Sequence, residues 1–380
     1  MFIMEVGYLY FASSVMLVIG GILGGVTWLY VFKNNDDLLR LMSGLAAGIV
    51  VLVTINRLFV LNCGWSGCLR IVFISLPIAY LLCNVHINRN AALSFFYIVL
   101  IYTVINIALA DPKELYRIFA ASSRNYISVL LIASLFPYYV ACQKDHMEVS
   151  VFPALLSLPV SIYVQSRGGM VVSGILVFFT FAQELYLGIA KGLFKSRKKL
   201  IRFLISAVLL LGIVFFAFQK SANDSVADEE PTDYLSRFVK PVEYPITRTE
   251  MWTEYVTVTG SSVKNILLGP PLTTCPFILA EGYNSHNSYF MVHSYMGIAG
   301  LVTILIGVIG YLVLCIKKKQ YDLLFLSVTF LLRAMTDYLF PMLFCDCIVL
   351  FMILKTGIGV KKAAYEYKEK KALNNSDTGI

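Results

Sequence analysis

The stretch that decides the fold is the boundary at residues 283–300, YNSHNSYFMVHSYMGIAG, where a polar segment passes directly into an apolar one. The polar segment begins near Gln219 and is the only long one between the apolar runs of this chain. Ordered loops longer than about 12–15 residues are usually functional. We therefore predict that residues 219–289 form one large loop that contributes part of an active site.

The composition places the chain in a membrane. Of its 380 residues, 58% are hydrophobic and 14% are charged, and its mean hydropathy is +0.75. Soluble proteins average roughly 45–50% apolar and about 25% charged residues. Apolar runs that approach the roughly 20 residues needed to cross a bilayer recur along the chain. We predict an all-α polytopic membrane protein with one integral membrane domain over residues 1–380.

The apolar runs predict about eleven transmembrane helices, within a range of about 10–12. The runs cover approximately residues 5–32, 38–61, 70–84, 91–110, 126–142, 148–165, 169–190, 201–218, 290–315, 321–336 and 341–357. The large loop separates the eighth run from the ninth.

The positions of the basic residues predict the orientation. The net charge is +8, but the basic residues cluster in short segments at 195–202, 317–319 and 361–371. Such clusters are typical of cytoplasmic connections, so we expect no nucleic-acid partner. The segment 219–285 instead has five Lys or Arg against nine Asp or Glu. We predict that the large loop faces outward and that residues 358–380 form a basic cytoplasmic tail.

Two arginines on the predicted outer side are candidate anion-binding residues. Arg167 lies beside Gly168 between two apolar runs, and an arginine at membrane depth costs about 2.5–3.5 kcal/mol on insertion scales. Its guanidinium beside open backbone amides suits a phosphate, although a snorkelling arginine at the end of a helix hairpin is the alternative. Arg248 follows Thr247, which has capping-box spacing to Glu250, and the first turn of a helix also favours an anion. The alternative for this segment is a surface helix lying on the membrane.

His286 is the candidate catalytic residue. It stands beside Asn287 just before an apolar run, in a chain with four histidines. A neutral imidazole can take a proton from a hydroxyl near neutral pH; the alternative is a histidine that caps a helix at the interface. His293 lies seven residues further on, about 10 Å along a helix, which is too far to share a metal ion. We predict no metal site, and we expect His293 to pack inside the bundle.

Other outer residues are candidate supporting groups: Asn287, Trp252, Glu250, Gly168, Tyr289, Arg124 and Asp337. Outer acids such as Glu281 and Asp337 could orient a histidine or bind sugar hydroxyls, and spacing alone does not choose among them. The aromatic residues could stack on sugars or form an interfacial belt. Cys63 and Cys68 flank a turn that we place outside, either as a disulfide or as two free thiols.

The order of these features resembles the O-antigen polymerase and O-antigen ligase superfamily of bacterial envelope glycosyltransferases. The features are a Ser166-Arg167-Gly168 turn, an outer loop with Arg248 four residues before Trp252, a Leu-Leu-Gly-Pro turn at 267–270, and His286-Asn287 entering a helix that contains Gly297 and Gly300. The resemblance covers about residues 160–305 by motif and the whole chain by topology. Gly269-Pro270-Pro271 stands where the family often has Gly-x-Gly.

The resemblance implies a C-type glycosyltransferase fold in the bacterial inner membrane, with the active site facing the periplasm or exterior. It implies a donor glycan on undecaprenyl diphosphate, a second lipid-linked glycan as acceptor, and no metal or cofactor. By resemblance, Arg167 and Arg248 bind the pyrophosphate and His286 assists the acceptor hydroxyl in an inverting transfer. A chain-length regulator protein and membrane lipids are the further partners expected.

Three functions remain open at this point. A polymerase of O-antigen or capsular repeats is favoured because polymerases are the more numerous and diverse branch. A ligase that transfers glycan to lipid A-core would use the same residues. A lipid-linked glycan transporter would instead need charges along a central cavity and short outer loops, whereas the outer loop here is long.

Overall fold

A computed structural model describes residues 14–34, 37–62, 64–109, 125–164, 166–190, 247–343 and 345–377, with a few further positions between 200 and 208. Every regular element in these ranges is a helix, and none is a strand, as the composition predicts. Arg124, Cys63 and the first part of the predicted loop, 219–246, lie outside the described residues. Cys68 has a buried free thiol.

Thirteen helices can be numbered in chain order within these ranges. They are α1 Ser14–Asn34, α2 Asp37–Phe59, α3 Trp65–Asn84, α4 Arg89–Leu109, α5 Asn125–Lys144, α6 Val151–Tyr163, α7 Arg167–Ala190, α8 Arg248–Gly260, α9 Val263–Leu268, α10 Pro276–Ala280, α11 Ser288–Lys317, α12 Tyr321–Thr336 and α13 Asp346–Asp377. A π-helical turn at Ile71–Ser75 is part of α3, and a 3-10 turn at Leu272–Thr274 precedes α10.

Six of the described helices are long and apolar enough to cross a membrane: α2, α3, α4, α5, α7 and α11. Two shorter apolar segments, Leu17–Lys33 and Val151–Tyr163, correspond to two more of the predicted runs. These helices are those of a polytopic membrane protein. The count of eleven spans remains a prediction, because it also depends on residues outside the described ranges.

The third predicted run begins earlier than its hydropathy indicates. We expected a turn outside the membrane at residues 64–67, but α3 already begins at Trp65. Gly67 packs so closely against Met342 that a Cβ at this position would overlap its side chain. The prediction of a turn was therefore wrong, since packing against the 337–343 segment holds these residues in helical conformation.

The pairing of α11 with α13 depends on small residues, as is common between membrane helices. Gly307 and Gly310 lie directly against Ile353 and Thr356, and the Thr356 hydroxyl donates a hydrogen bond to the Gly307 carbonyl at 2.7 Å. Such interhelical hydrogen bonds contribute about 0.6 kcal/mol on average in membrane proteins. This close contact fixes the position of α13 relative to α11.

The described part of the large loop is docked on a kink in α11. Gly297 has φ 65° and ψ −173°, a conformation that interrupts the helical ladder. The side-chain amides of Asn56 and Asn62 both donate to the Ser294 carbonyl, at 2.6 and 3.0 Å. Asn62 also donates to the Pro270 carbonyl at 2.7 Å. The end of α2 therefore fastens the 268–272 turn to the kink.

Among the described residues, helix connections meet at two ends of the bundle. At one end, the Tyr126 hydroxyl donates to the Tyr338 carbonyl at 2.8 Å, which joins the start of α5 to the segment after α12. At the other end, Lys144 Nζ donates to the carbonyls of Leu82 and Val85 at 2.9 and 2.7 Å. The docked loop and His286 belong to the first end, which we call the loop end.

Candidate active site

His286 lies in the short connection between α10 and α11, and its backbone is held from several directions. Its φ of +49° is unusual for a residue with a side chain. Its backbone N–H donates to Asn284 Oδ1 at 2.8 Å, while Trp252 Nε1 donates to the neighbouring Ser285 carbonyl at 2.9 Å. The surrounding contacts thus fix a strained backbone, which is common at functional sites.

The imidazole of His286 lies between two carboxylates. Its Nδ1 is 3.3 Å from Asp337 Oδ1, and its Nε2 is 3.8 Å from Glu281 Oε2. The Asp337 carboxylate accepts a hydrogen bond from Nδ1–H, so in the neutral ring Nε2 carries the lone pair. The side chain is 21% exposed, so the imidazole is partly accessible. Among the acids that the sequence left open, Asp337 is the one that orients His286.

Asp337 follows the last residue of α12 and is almost completely buried, with 1% of its side chain exposed. Burial alone would raise the pKa of its carboxyl group. The hydrogen bond from His286 and the positive charges of Arg333 and Arg248 outweigh burial, so the pKa of Asp337 lies below its usual range. Asp337 is therefore ionised near neutral pH and favours the proton on Nδ1.

Arg333 makes the shortest side-chain contact with Asp337. Its Nη2 donates to Asp337 Oδ2 at 2.6 Å, one helical turn further along α12. Arg333 was not among the residues that the sequence predicted for the site. The four-residue spacing to Asp337 at the end of a helix was the available signal, since side chains at that spacing are neighbours.

The turn before α7 meets the same group of residues. Gly168 lies against the guanidinium of Arg333, and Gly169 lies against the hydroxyls of Ser128 and Ser166. The backbone of Arg167 begins α7, while its side chain lies outside the described part of the structure. The fold thus brings the predicted phosphate-binding turn and the predicted catalytic histidine to opposite sides of the Arg333–Asp337 pair.

Arg248 begins α8, and the predicted capping box is confirmed. Thr247 Oγ1 accepts the Glu250 N–H at 3.2 Å, and Glu250 Oε2 accepts the Thr247 N–H at 2.6 Å. These bonds from Thr247 lower the pKa of Glu250. Glu250 therefore has a capping role. Arg248 lies in the same first turn of α8, and its charge acts on Asp337.

Comparison with known proteins identifies no relative. No family model, no curated protein and no solved structure matches this chain.

Three of the predicted supporting residues, Asn287, Tyr289 and Trp252, stabilise the segment that carries His286. Asn287 caps α11, its Oδ1 accepting the N–H groups of Tyr289 and Phe290 at 3.0 and 3.2 Å. Tyr289 packs edge-on against Phe340, with ring centroids 5.7 Å apart. Trp252 packs edge-on against Phe290, in addition to its hydrogen bond to the Ser285 carbonyl. These contacts attach the His286 connection to its neighbours.

His293 is a structural residue, as expected from its position inside the bundle. Its Nδ1 is 2.8 Å from the Tyr255 hydroxyl, and its Nε2 is 2.8 Å from the Ile266 carbonyl. Because the carbonyl can only accept, Nε2 carries the proton and Nδ1 accepts from Tyr255. His293 therefore links α8 and α9 of the loop to α11.

Within the described ranges, no three His, Cys, Asp or Glu side chains are grouped so that they could hold a metal ion. The expectation of a metal-independent reaction remains a prediction.

Proposed function

We propose that this protein is a membrane glycosyltransferase that polymerises glycan repeats carried on undecaprenyl diphosphate. The observation that supports this best is the Asp337–His286 pair, in which a buried, ionised carboxylate orients a partly exposed imidazole whose Nε2 carries the lone pair. A pair of this kind suits deprotonation of a hydroxyl at neutral pH. Its position at the loop end, beside two helix starts that carry arginines, suits a diphosphate leaving group.

In the proposed reaction, the hydroxyl oxygen of the acceptor glycan attacks the anomeric carbon of the donor glycan. The bond between that carbon and the diphosphate oxygen breaks, and its electron pair leaves with undecaprenyl diphosphate. The hydroxyl proton moves to His286 Nε2, and Asp337 stabilises the imidazolium that results, as an aspartate does in hydrolytic triads. Attack opposite the leaving group inverts the anomeric centre.

The leaving diphosphate gathers negative charge, which must be stabilised as the bond breaks. The start of α8 offers Arg248 and the positive end of a helix, and α7 begins at Arg167 with the positive end of a second helix. We assign Arg248 and Arg167 to the diphosphate on these grounds. Glu281, 3.8 Å from Nε2, is placed to bind a neighbouring hydroxyl of the acceptor sugar.

The proposed location is the bacterial inner membrane, with the loop end facing the periplasm or exterior. The basic clusters at the opposite connections support this orientation. A lipid-linked donor suits a site at this face, because it carries its own activating diphosphate and needs no nucleotide sugar.

The proposal is tested with purified protein in lipid vesicles and undecaprenyl-diphosphate-linked repeat units, with a chelator and without nucleotide sugars. We expect a ladder of glycans that differ by one repeat, resolved by electrophoresis. Transfer that occurs only after lipid A-core is added would show a ligase instead. No transfer with either acceptor would overturn the assignment as a glycosyltransferase.

A second test addresses the diphosphate directly. The Arg248→Gln variant is expected to polymerise about 100-fold more slowly, as when one donor to a developing charge is removed. Arg248→Lys should fall between this variant and wild type, because lysine keeps the charge but not the planar fork. The matched control is Lys264→Gln on α9, an exposed cation in the same loop. Equal rates for Arg248→Gln and Lys264→Gln would remove Arg248 from the site.

A further inference from the structure

The buried guanidinium of Arg333 makes other hydrogen bonds besides its ion pair with Asp337. Only 2% of the side chain is exposed, so Arg333 is not placed to touch a substrate. Nη2 donates to Asp337 Oδ2 at 2.6 Å and to the Asn125 carbonyl at 3.1 Å, and Nη1 donates to Thr336 Oγ1 at 3.0 Å. Its Nε has no hydrogen-bond partner among the described residues. One cation thus joins the start of α5 to the end of α12.

The same guanidinium lies against the start of α7. A Cβ on Gly168 would be 2.8 Å from Arg333 Nη1 and 3.1 Å from its Cζ. The first distance is shorter than real Cβ contacts and the second is tighter than most, so a side chain at this position requires the Arg333 guanidinium to shift. Gly168 immediately follows Arg167 in α7. Arg333 therefore contacts the carboxylate that orients His286 on one side and the Arg167–Gly168 turn on the other.

We propose that Arg333 is a positioning residue, which sets the orientation of His286 through Asp337 and fixes its place relative to the Arg167–Gly168 turn. The meaning of this role for catalysis rests on the proposed glycosyl transfer. The reacting groups of that transfer, a base and a leaving diphosphate, must be held at a fixed separation, and misplacement by about 1 Å can cost about 100-fold in rate. Among the described residues, the Asp337 carboxylate accepts hydrogen bonds only from Arg333, His286 and the Tyr338 N–H, so Asp337 alone does not link the histidine to α7.

Arg333 also affects the charge state of the pair. Besides Arg333, the charged and titratable groups around this pair are Arg248 from α8 and Tyr126 from α5 beside Asp337, and Glu281 beside His286. Arg333 and Arg248 oppose protonation of the Asp337–His286 pair, whereas Glu281 favours it. Loss of the Arg333 charge should therefore let the pair bind a proton at higher pH.

The first test measures this effect without any glycan substrate. Diethyl pyrocarbonate modifies neutral imidazole, so the modification rate of the His286 peptide, followed by mass spectrometry, gives a pH midpoint for the pair. We expect the midpoint in Arg333→Gln to lie about half a pH unit or more above wild type. In Arg333→Lys, which keeps the charge, it should stay near wild type. An unchanged midpoint in folded Arg333→Gln would overturn the proposal.

The second test uses polymerisation in vesicles. Arg333→Gln and Arg333→Lys are both expected to lose about 100-fold in rate, since neither keeps the planar guanidinium. If Arg333 acts through Asp337, adding Arg333→Gln to Asp337→Asn should cost less than about threefold more. A double variant whose losses multiply would contradict action through Asp337.

The third test changes Gly168, which packs against Arg333, and leaves Arg333 itself unchanged. It can be used even if Arg333→Gln fails to fold. Gly168→Ala should displace the guanidinium and lower the rate about tenfold or more. Gly174→Ala in the same helix is the control, because no described atom lies within 4 Å of the Cβ it would add. Equal rates for these two variants would overturn the proposed link to α7. If wild type forms no polymer but the pH midpoints shift as expected, the positioning role stands and the proposed function fails.

Discussion

The His286→Gln variant is expected to lose about 10³-fold or more of the polymerising activity while it remains folded in the membrane. Glutamine keeps a hydrogen-bond donor for Asp337 but cannot accept the acceptor proton at neutral pH. General base catalysis is worth about 10²–10⁴-fold, which sets the size of the expected loss. The measurement is the initial rate of ladder formation in vesicles at pH 7, with equal amounts of purified protein.

The control for this variant is His86→Gln. His86 lies at the opposite end of the bundle, with its side chain 70% exposed and 3.6 Å from Asp145. This change should leave the rate within about twofold of wild type, since substitutions at exposed sites have small effects. A His286→Gln protein as active as His86→Gln would remove His286 from the mechanism and with it the main chemical support for the proposed function.

The Gly297→Ala variant is expected to detach the loop from the bundle. A Cβ at Gly297 would overlap the Leu267 carbonyl, and its φ of 65° with ψ of −173° is accessible essentially only to glycine. Forcing alanine into this conformation costs about 1–3 kcal/mol before the overlap is counted. We expect a lower unfolding temperature in detergent and faster hydrogen exchange over residues 263–272, where α9 and the following turn contact α11.

The control here is again Gly174→Ala, which adds a methyl group where the described structure has space. The loop that detaches in Gly297→Ala carries Arg248 and Trp252, so activity should fall together with loop protection. Unchanged exchange over residues 263–272 in Gly297→Ala would show that the close contact between Leu267 and Gly297 does not hold the loop. Gly269 should be equally intolerant, since a Cβ there would overlap the His293 carbonyl.

The sequence predicted the parts of the site that depend on local chemistry. The capping box at Thr247 and Glu250 is visible because its two residues are three positions apart, and the structure confirms it. His286 was selected because it ends a polar loop at an apolar run. The resemblance to a glycosyltransferase family rests on the same short motifs and stays untested by any relative.

The roles of several residues could not be assigned from spacing. Asn287 was a candidate supporting residue of the site without an assigned role, and its side-chain oxygen caps α11. Glycine at position 168 was expected to expose backbone amides to a ligand, whereas its lack of a side chain makes room for Arg333. In each case the residue type indicated that the position matters, but the role of the residue depends on which residue lies next to it in the folded chain.

By itself, the sequence determined that this chain is an all-helical membrane protein, with a polar loop that leads to His286. Composition and hydrophobic run length are sufficient for this, because the bilayer imposes one solution on any long apolar segment. Only the tertiary structure decided that Asp337, 51 residues away, orients His286 and that Arg333 forms an ion pair with Asp337. It also decided that the Leu267 carbonyl packs directly against Gly297. The physical reason is that these contacts join different helices, and the relative positions of helices depend on side-chain packing across the whole bundle.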